Sequence, residues 1–311
     1  MTEISVRYYE EDTDLSAIAH LVQICDRFDN LPEEISLESL QRDLNNPQLD
    51  RQNNVRLWED ANGELIGYAW LGLMPPKDKL EGFLWFRIHP QARDTDLPAL
   101  ILTWAETRLH TQAPNYPLCL RIHATENDTY RHNLLSTWGF TLTRYFFSMS
   151  RSLLNSIPQP QLPQPFYLRT CHGESEILAI QNLYNQSFAD HWNFHPLPLP
   201  QLRYEFNSPL YRPDLNLLAV APDGTLVAFC FSKILSDTST GEIVVLGTIP
   251  AYRCRGLGRS LLLHSLQRLQ AAAAITAQLG VDADNRAGAV KLYTNIGFER
   301  DRTTLYWFKT V

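Results

Sequence analysis

An internal repeat constrains the fold of this chain more than any other feature. Short groups of residues in the first half recur in the same order in the second half, at an offset that falls slowly from 162 to 158 residues. Four of the matches are Val6-Arg7 with Leu168-Arg169, Asn62-Gly63 with Asp223-Gly224, residues 90–93 with residues 250–253, and Gly139-Phe140 with Gly297-Phe298. A shrinking offset is what a duplication followed by small loop deletions leaves behind. The 311 residues therefore predict two copies of one fold.

A proline-rich segment separates the two copies. Residues 152–165 carry prolines at positions 158, 160, 163 and 165, interspersed with glutamines. This composition favours a semi-rigid, extended linker. We predict an N-terminal domain at residues 1–151, a linker at residues 152–165 and a C-terminal domain at residues 166–311.

The most specific local motif is a glycine-containing loop, Arg253-Cys254-Arg255-Gly256-Leu257-Gly258-Arg259-Ser260. It follows a strand-like apolar run at residues 243–249 and precedes a helical pattern at residues 261–273. Glycines let successive backbone N–H groups face an anion, and a helix start adds its positive dipole end. The loop lacks the third glycine of the dinucleotide fingerprint and the lysine of a Walker P-loop. It therefore predicts a pyrophosphate site of neither common nucleotide-binding type.

A second motif gives the loop a family context. Residues 281–298 contain Val281, Asn285, Ala289-Val290, Leu292-Tyr293 and Gly297-Phe298. Together with the R-x-x-G-x-G pattern of Arg253, Gly256 and Gly258, this spacing resembles the GNAT superfamily of N-acetyltransferases. An ordinary strand-to-helix turn with surface arginines would explain the loop alone, but not the second motif. The resemblance implies an α/β (α+β) chain of two tandem GNAT folds, each a mixed, mostly antiparallel central sheet flanked by helices.

The two copies differ at the loop. The first copy has Asp94, Asp96 and Pro98 where the second has its glycine loop, and Leu135 stands at the position of Tyr293. Aspartates repel phosphates, and proline lacks an N–H donor. Among two-copy members, the chain resembles the mycothiol synthase type, in which the C-terminal copy alone acetylates. We therefore expect the first copy to be degenerate and to support the fold or shape the substrate site.

The resemblance also implies which residues hold the cosubstrate acetyl-CoA. Backbone atoms of the strand before the loop would bind the pantetheine arm, loop N–H groups the pyrophosphate, and Arg253 and Arg255 phosphate oxygens. The expected set is Gly247, Thr248, Ile249, Arg253, Cys254, Arg255, Gly256, Leu257, Gly258, Arg259, Ser260 and Asn285. For Asn285, capping of the following helix is the alternative.

Two residues are candidates for proton transfer. Glu242, at the start of the central strand, is the candidate base and would act through water; a solvated glutamate is the alternative. Tyr293 is the candidate acid, because a phenol stays protonated near neutral pH; a core tyrosine is the alternative. The match of Tyr293 to the family motif favours its catalytic role.

The acceptor side is less specific in the sequence. His191 and Trp192 lie in an aromatic, histidine-rich segment that would line an acceptor pocket, and Lys233 ends a strand that would face it. Solvent exposure is the alternative for Lys233. His191 and His195 have an i, i+4 spacing, but no third ligand accompanies them, so we expect no metal.

Composition excludes several function classes. A formal net charge of −7 argues against nucleic acid as a partner, and the sequence has neither a signal peptide nor an 18-residue apolar run. Five singly scattered cysteines favour a reducing cytoplasm over a disulfide framework.

The predicted function is acetyl-CoA-dependent N-acetylation of a primary amine on a small molecule. The amine would attack directly in a ternary complex in the C-terminal domain of a monomer or homodimer. Two alternatives remain open at this point: a non-catalytic acyl-CoA-binding or regulatory module, and a protein N-acetyltransferase. The sequence assigns no acceptor, and it does not commit the chain to mycothiol chemistry.

Overall fold

The computed structural model describes residues 4–31, 37–74, 78–235 and 239–311, which form two compact units. The first unit comprises residues 1–143 and 305–311, and the second comprises residues 144–304. Each unit packs a hydrophobic cluster on each face of its strands. Among the described residues, no helix has the length and apolarity needed to cross a membrane.

The first unit carries the first copy of the repeat. Its elements are β1 (Ser5–Tyr8), α1 (Glu11–Phe28), α2 (Leu37–Leu44), α3 (Arg51–Asn54), β2 (Val55–Glu59), β3 (Leu65–Leu73), β4 (Leu80–Ile88), α4 (Leu97–Gln112), β5 (Leu118–Thr125), α5 (Thr129–Thr137) and the start of β6 (Thr141–Ser152). The strands lie in the order β1-β2-β3-β4-β5, antiparallel except for the parallel pair β4 and β5. That parallel pair is short, because pairing ends at Phe83 opposite Arg121.

The second unit repeats this arrangement. Its elements are β7 (Tyr167–Thr170), α6 (Ile177–Phe188), α7 (Leu199–Phe206), β8 (Asn216–Val220), β9 (Leu226–Ile234), β10 (Thr240–Thr248), α8 (Leu257–Ala271), β11 (Thr276–Asp282), α9 (Ala289–Asn295) and the start of β12 (Glu299–Thr310). The strands lie in the order β7-β8-β9-β10-β11, again antiparallel except for the last pair. Parallel pairing of β10 with β11 ends at Ile243 opposite Leu279, so the two strands diverge toward their carboxyl ends.

The last strand of each repeat pairs in the unit of the other repeat. Residues 144–152 of β6 belong to the second unit, where β6 pairs with β11 from Phe146 to Ser152. Residues 305–311 belong to the first unit, where the Val311 N–H donates to the Leu118 carbonyl at 3.1 Å. The compact units and the sequence repeats therefore differ at these two strands. Residues 153–165 of the expected linker contain no helix or strand.

Local sequence explains the elements that frame the divergent strands. The apolar stripe of α8, including Leu262, Leu266 and Leu269, is buried against the sheet. The expected stripe extended to Ala273, but the helix ends at Ala271, and Ala273 is exposed with a φ of 66°. A left-handed residue cannot continue a right-handed helix.

Candidate functional site

The second unit contains a cavity of ≈ 860 Å³ at the divergent ends of β10 and β11. Twelve of the residues that we singled out in the sequence line it: His191, Trp192, Gly247, Thr248, Arg253, Cys254, Gly256, Leu257, Gly258, Arg259, Asn285 and Tyr293. Five do not line it: Lys233, Glu242, Ile249, Arg255 and Ser260. The structure thus brings the loop, the strand end and Tyr293 together around one space.

The glycine loop presents unused backbone donors to this cavity. Cys254 and Gly256 both have left-handed backbones, with φ of 59° and 84°, and α8 begins at Leu257. The N–H groups of Leu257, Gly258 and Arg259 lie in the first turn of the helix, where no carbonyl four residues earlier in the helix is available. The chain therefore has several N–H groups and a helix dipole converging on one point, which suits a bound anion.

We call the backbone N–H groups from Cys254 to Arg259 the cradle, and the space at Gly258 leaves room for a ligand beside them. A Cβ at this position would meet Leu292 Cδ2 and Thr248 Oγ1 at 3.9 Å, which is ordinary contact distance. The fold therefore does not require glycine here for its own packing, whereas an approaching ligand does benefit from the bare backbone. The residues present fit a pyrophosphate group.

Two of the expected backbone donors are already used within the protein. The Ser260 N–H donates to the Gly256 carbonyl at 3.0 Å, and the Ser260 side chain is buried. The Ile249 N–H donates to the Val227 carbonyl at 3.0 Å. The converging donors are thus confined to the segment between these two residues.

The arginines of the loop differ in what they contact. Arg253 forms a forked ion pair with Asp190 and also donates to the carbonyls of Ser187 and Thr248, at 2.8 and 3.2 Å. The Arg255 guanidinium lies over the Tyr252 ring at 5.1 Å and is exposed. Arg259 is exposed and lines the cavity. Arg253 is therefore paired with a protein carboxylate, and its assignment as a phosphate ligand stays a prediction.

Tyr293 lies in the wall of the cavity on α9. Its side chain is 7% exposed, and its ring packs edge-on against Phe298 at 5.9 Å. Burial raises the pKa of its phenol above the ordinary value, and the nearby Cys230 adds to this effect. The phenol therefore keeps its proton at physiological pH and can donate it.

Asn285 both lines the cavity and caps a helix. Its Oδ1 accepts from the Ala289 N–H at 3.2 Å, at the start of α9. The capping alternative is thus the observed contact. This hydrogen bond fixes the start of α9, the helix that carries Tyr293.

Glu242 and Lys233 lie away from the cavity, at the closed end of the strand pair. Glu242 stands one residue before the β10–β11 pairing ends, and its Oε2 is 3.0 Å from Lys233 Nζ. Four residues separate Glu242 from Leu246, the first β10 residue in the cavity wall, which corresponds to about 13 Å along a strand. The assignments of Glu242 as base and Lys233 as acceptor contact stay predictions.

The acceptor-side wall includes charged residues that the sequence did not reveal. Arg144 Nη2 lies 2.8 Å from Asp282 and its Nη1 lies 3.1 Å from Asp284, and its guanidinium lies 5.2 Å from the Trp192 ring. Arg144 precedes the expected linker, so no local motif connects it to the C-terminal copy. Among the described residues, no three His, Cys, Asp or Glu side chains are grouped to hold a metal ion.

The corresponding cleft of the first unit is filled by the protein itself. Arg131, at the start of α5, donates to the carbonyls of Phe86 on β4 and His123 on β5, at 2.8 and 3.2 Å. Burial lowers the pKa of this guanidinium to about 10, and the nearby Arg87 contributes to the lowering. At the loop, Thr95 Oγ1 accepts from the Leu97 N–H at 3.2 Å, and Pro98 has no N–H. Among the described residues of the first unit, Arg131 thus occupies the space between β4 and β5, the Leu97 N–H is already engaged and Pro98 offers no donor.

Comparison with protein families and curated proteins gives consistent results. The Acetyltransferase (GNAT) family model matches residues 177–298. The chain is 32% identical over 242 residues to a mycothiol acetyltransferase of Thermobispora bispora, covering 76% of this chain and 77% of that protein. It is 33% identical over 253 residues to a mycothiol acetyltransferase of Kineococcus radiotolerans, covering 79% and 78%.

Solved structures share the fold over almost the whole chain. A GCN5-related N-acetyltransferase from Sphaerobacter thermophilus matches with a TM-score of 0.80 at 22% identity, covering 99% of this chain and 95% of that one. A tandem GNAT protein from the clavulanic acid biosynthesis pathway matches with a TM-score of 0.72 at 12% identity, covering 99% and 98%. The predicted fold class, two tandem copies with mostly antiparallel sheets, is confirmed.

Proposed function

The chain belongs to the GNAT family of acetyltransferases, and we propose that its second unit transfers the acetyl group of acetyl-CoA to a primary amine on a small molecule. One observation carries this proposal: a cradle of unused N–H groups and a buried, protonated phenol share one cavity. The filled cleft around Arg131 supports the second unit, rather than the first, as the active one.

The chain's own residues would hold the donor at two places. The N–H groups between Cys254 and Arg259 would bind the pyrophosphate, with Arg259 adding charge from the rim. Beyond Ile243, β10 has no partner in β11, so the backbone groups of Leu246, which face away from β9, can bind the amides of the pantetheine arm. Acetyl-CoA supplies the activated thioester.

Transfer requires two proton movements. An alkylammonium has a pKa of about 10.4, so it must lose a proton before its nitrogen can attack the thioester carbonyl carbon. As the nitrogen–carbon bond forms and the carbon–sulfur bond breaks, the leaving thiolate takes a proton, and the proton that the nitrogen sheds on becoming an amide replaces the one given to the thiolate. We assign this second proton to the Tyr293 hydroxyl, because burial keeps it protonated inside the cavity wall.

Glu242 is our candidate for the first proton. It lies on the opposite sheet face from Gly241, which packs against Leu269 of α8. That is the face on which Gly247 approaches Ser187 of α6, and the pairing of β10 with β11 ends one residue beyond Glu242. A carboxylate at the closed end of the cleft would act through a chain of water, since the strand separates it from the cavity by several residues.

The shared name of the relatives makes the form of mycothiol that lacks its acetyl group the first amine to test. Free cysteines throughout the chain support a reducing compartment such as the cytoplasm.

A screen of amines that follows CoA release from acetyl-CoA tests the proposed function. We expect at least one small-molecule amine to be N-acetylated with saturation kinetics in both substrates. If acetyl-CoA binds but no small amine, peptide N-terminus or lysine peptide is acetylated, the chain is an acyl-CoA-binding module. If peptides alone react, it is a protein acetyltransferase.

A further inference from the structure

The Arg253–Asp190 ion pair is a feature of the cavity that the proposed chemistry does not use. Arg253 Nη2 lies 2.8 Å from Asp190 Oδ1, and the hydrogen bond from Arg253 lowers the pKa of the Asp190 carboxyl. The same guanidinium also donates to the carbonyls of Ser187 at the end of α6 and Thr248 at the end of β10. Arg253 therefore joins the loop, the strand end and the helix end.

The first unit provides an internal comparison for this ion pair. There, Arg93 forms the equivalent fork with Asp29, with both distances at 2.6 Å. Arg93 matches Arg253 at an offset of 160 residues, and Asp29 matches Asp190 at an offset of 161. The fork is thus present in a unit whose loop has lost its glycines and carries Pro98. An arginine kept where no phosphate cradle exists has a role other than binding phosphate.

The position of Asp190 indicates what that role is. Asp190 follows the end of α6 by two residues, and His191 and Trp192 come directly after it and line the cavity. The ion pair therefore holds the start of this segment against the loop at Arg253. We propose that Arg253 and Asp190 are positioning residues that hold the acceptor-side segment at His191 and Trp192, and that Arg253 is not a phosphate ligand.

This inference rests on the proposed function. It predicts that loss of the ion pair changes the KM of the acceptor amine but not the Kd of acetyl-CoA. Replacing Asp190 with Asn removes the charge of the fork but no contact to acetyl-CoA. Misplaced acceptor contacts lower productive binding, so we expect the KM of the acceptor amine to rise about tenfold. The Kd of acetyl-CoA should stay within about twofold, because Arg253 keeps its hydrogen bonds to the carbonyls of Ser187 and Thr248 and so stays directed away from the phosphates.

The experiment compares Asp190→Asn, Arg253→Gln and the double variant in the full chain, using the amine found in the screen. Acceptor KM, kcat and the acetyl-CoA Kd are measured at low and high salt. We expect all three variants to show the same rise in acceptor KM, because the two residues act as one unit. Asp190→Glu should restore part of the loss. The exposed pair contributes little to folding, so the variants are expected to fold.

Asp29→Asn is the matched control, because it breaks the same fork in the first unit and should leave acceptor KM unchanged. If Arg253 were a phosphate ligand, Asp190→Asn would free its charge and tighten acetyl-CoA binding, and removing Arg253 in the Asp190→Asn background would weaken that binding and reduce its salt dependence. Either result overturns the inference, as does an unchanged acceptor KM in Asp190→Asn. Failure of the wild-type chain to bind acetyl-CoA would instead refute the proposed function.

Discussion

At the scale of single residues, the candidate acid Tyr293 and the proposed positioning residue Asp190 differ in how far along the chain their contacts lie. Tyr293 could be predicted because its spacing to Gly297-Phe298 is fixed within one helix and the turn after it. Asp190 could not be found from local sequence, since it lies 63 residues from its partner Arg253. The repeat nevertheless indicates this pairing, because Asp29 and Arg93 stand at the matching positions of the first copy and form the same ion pair.

Replacing Tyr293 with Phe tests the acid directly. The ring and its packing against Phe298 are kept, and the proton donor alone is lost. We expect kcat to fall about 10²-fold, the usual contribution of a positioned acid, with the KM of acetyl-CoA nearly unchanged. Tyr252→Phe, in the same cavity wall, is the control and should retain most of the activity. A kcat for Tyr293→Phe within twofold of wild type would contradict the assignment.

The pH profile of kcat follows from the burial of the phenol. Because burial raises the pKa of Tyr293, the acid form persists above the ordinary tyrosine value. The acceptor amine loses its proton over the same range and becomes more reactive. We therefore expect kcat to rise or stay level from about pH 8 to about pH 10. Steady-state rates across this range, with circular dichroism to verify folding, provide the check. A loss of kcat centred below about pH 9 would show that Tyr293 is not the acid.

At the scale of elements, the cradle depends on backbone conformations that the glycine pattern predicts. Gly256 takes a left-handed φ of 84° just before α8, which explains a glycine at that place. The divergence of β10 from β11 is not evident in the local sequence. Its physical basis includes a register irregularity between Ile243 and Val245 in the β9 pairing, and periodicity alone does not reveal such a bulge.

Two glycine-to-alanine substitutions distinguish the cost of backbone strain from the loss of acetyl-CoA binding. Gly256 and Gly224 have similar φ values, 84° and 87°, and alanine at either position costs about 1 kcal/mol of folding stability. Thermal unfolding should therefore show similar losses for Gly256→Ala and Gly224→Ala. Acetyl-CoA binding should weaken in Gly256→Ala alone, because Gly224 lies in the turn between β8 and β9. Equal effects on binding would mean that the loop contributes only through stability.

At the scale of the whole molecule, the repeat predicted two copies of one fold, and their chemical difference followed from the lost glycines. The sequence did not predict that Arg131 occupies the space between β4 and β5 in the first unit, because a helical pattern does not distinguish a buried arginine from an exposed one. Nor did it predict that β6 and β12 pair in the unit of the other repeat. Partner choice among edge strands depends on tertiary packing, which alternation along one strand does not encode.

Calorimetric titration of the full chain with acetyl-CoA tests the central claim most directly. The open cradle in the second unit and the filled cleft in the first predict one equivalent bound per chain. Gly258→Glu, whose Cβ meets its neighbours at ordinary contact distance, places a carboxylate among the donors and should abolish that binding. Two equivalents in the wild-type chain, or one equivalent that survives Gly258→Glu, would contradict the assignment of the site to the second unit.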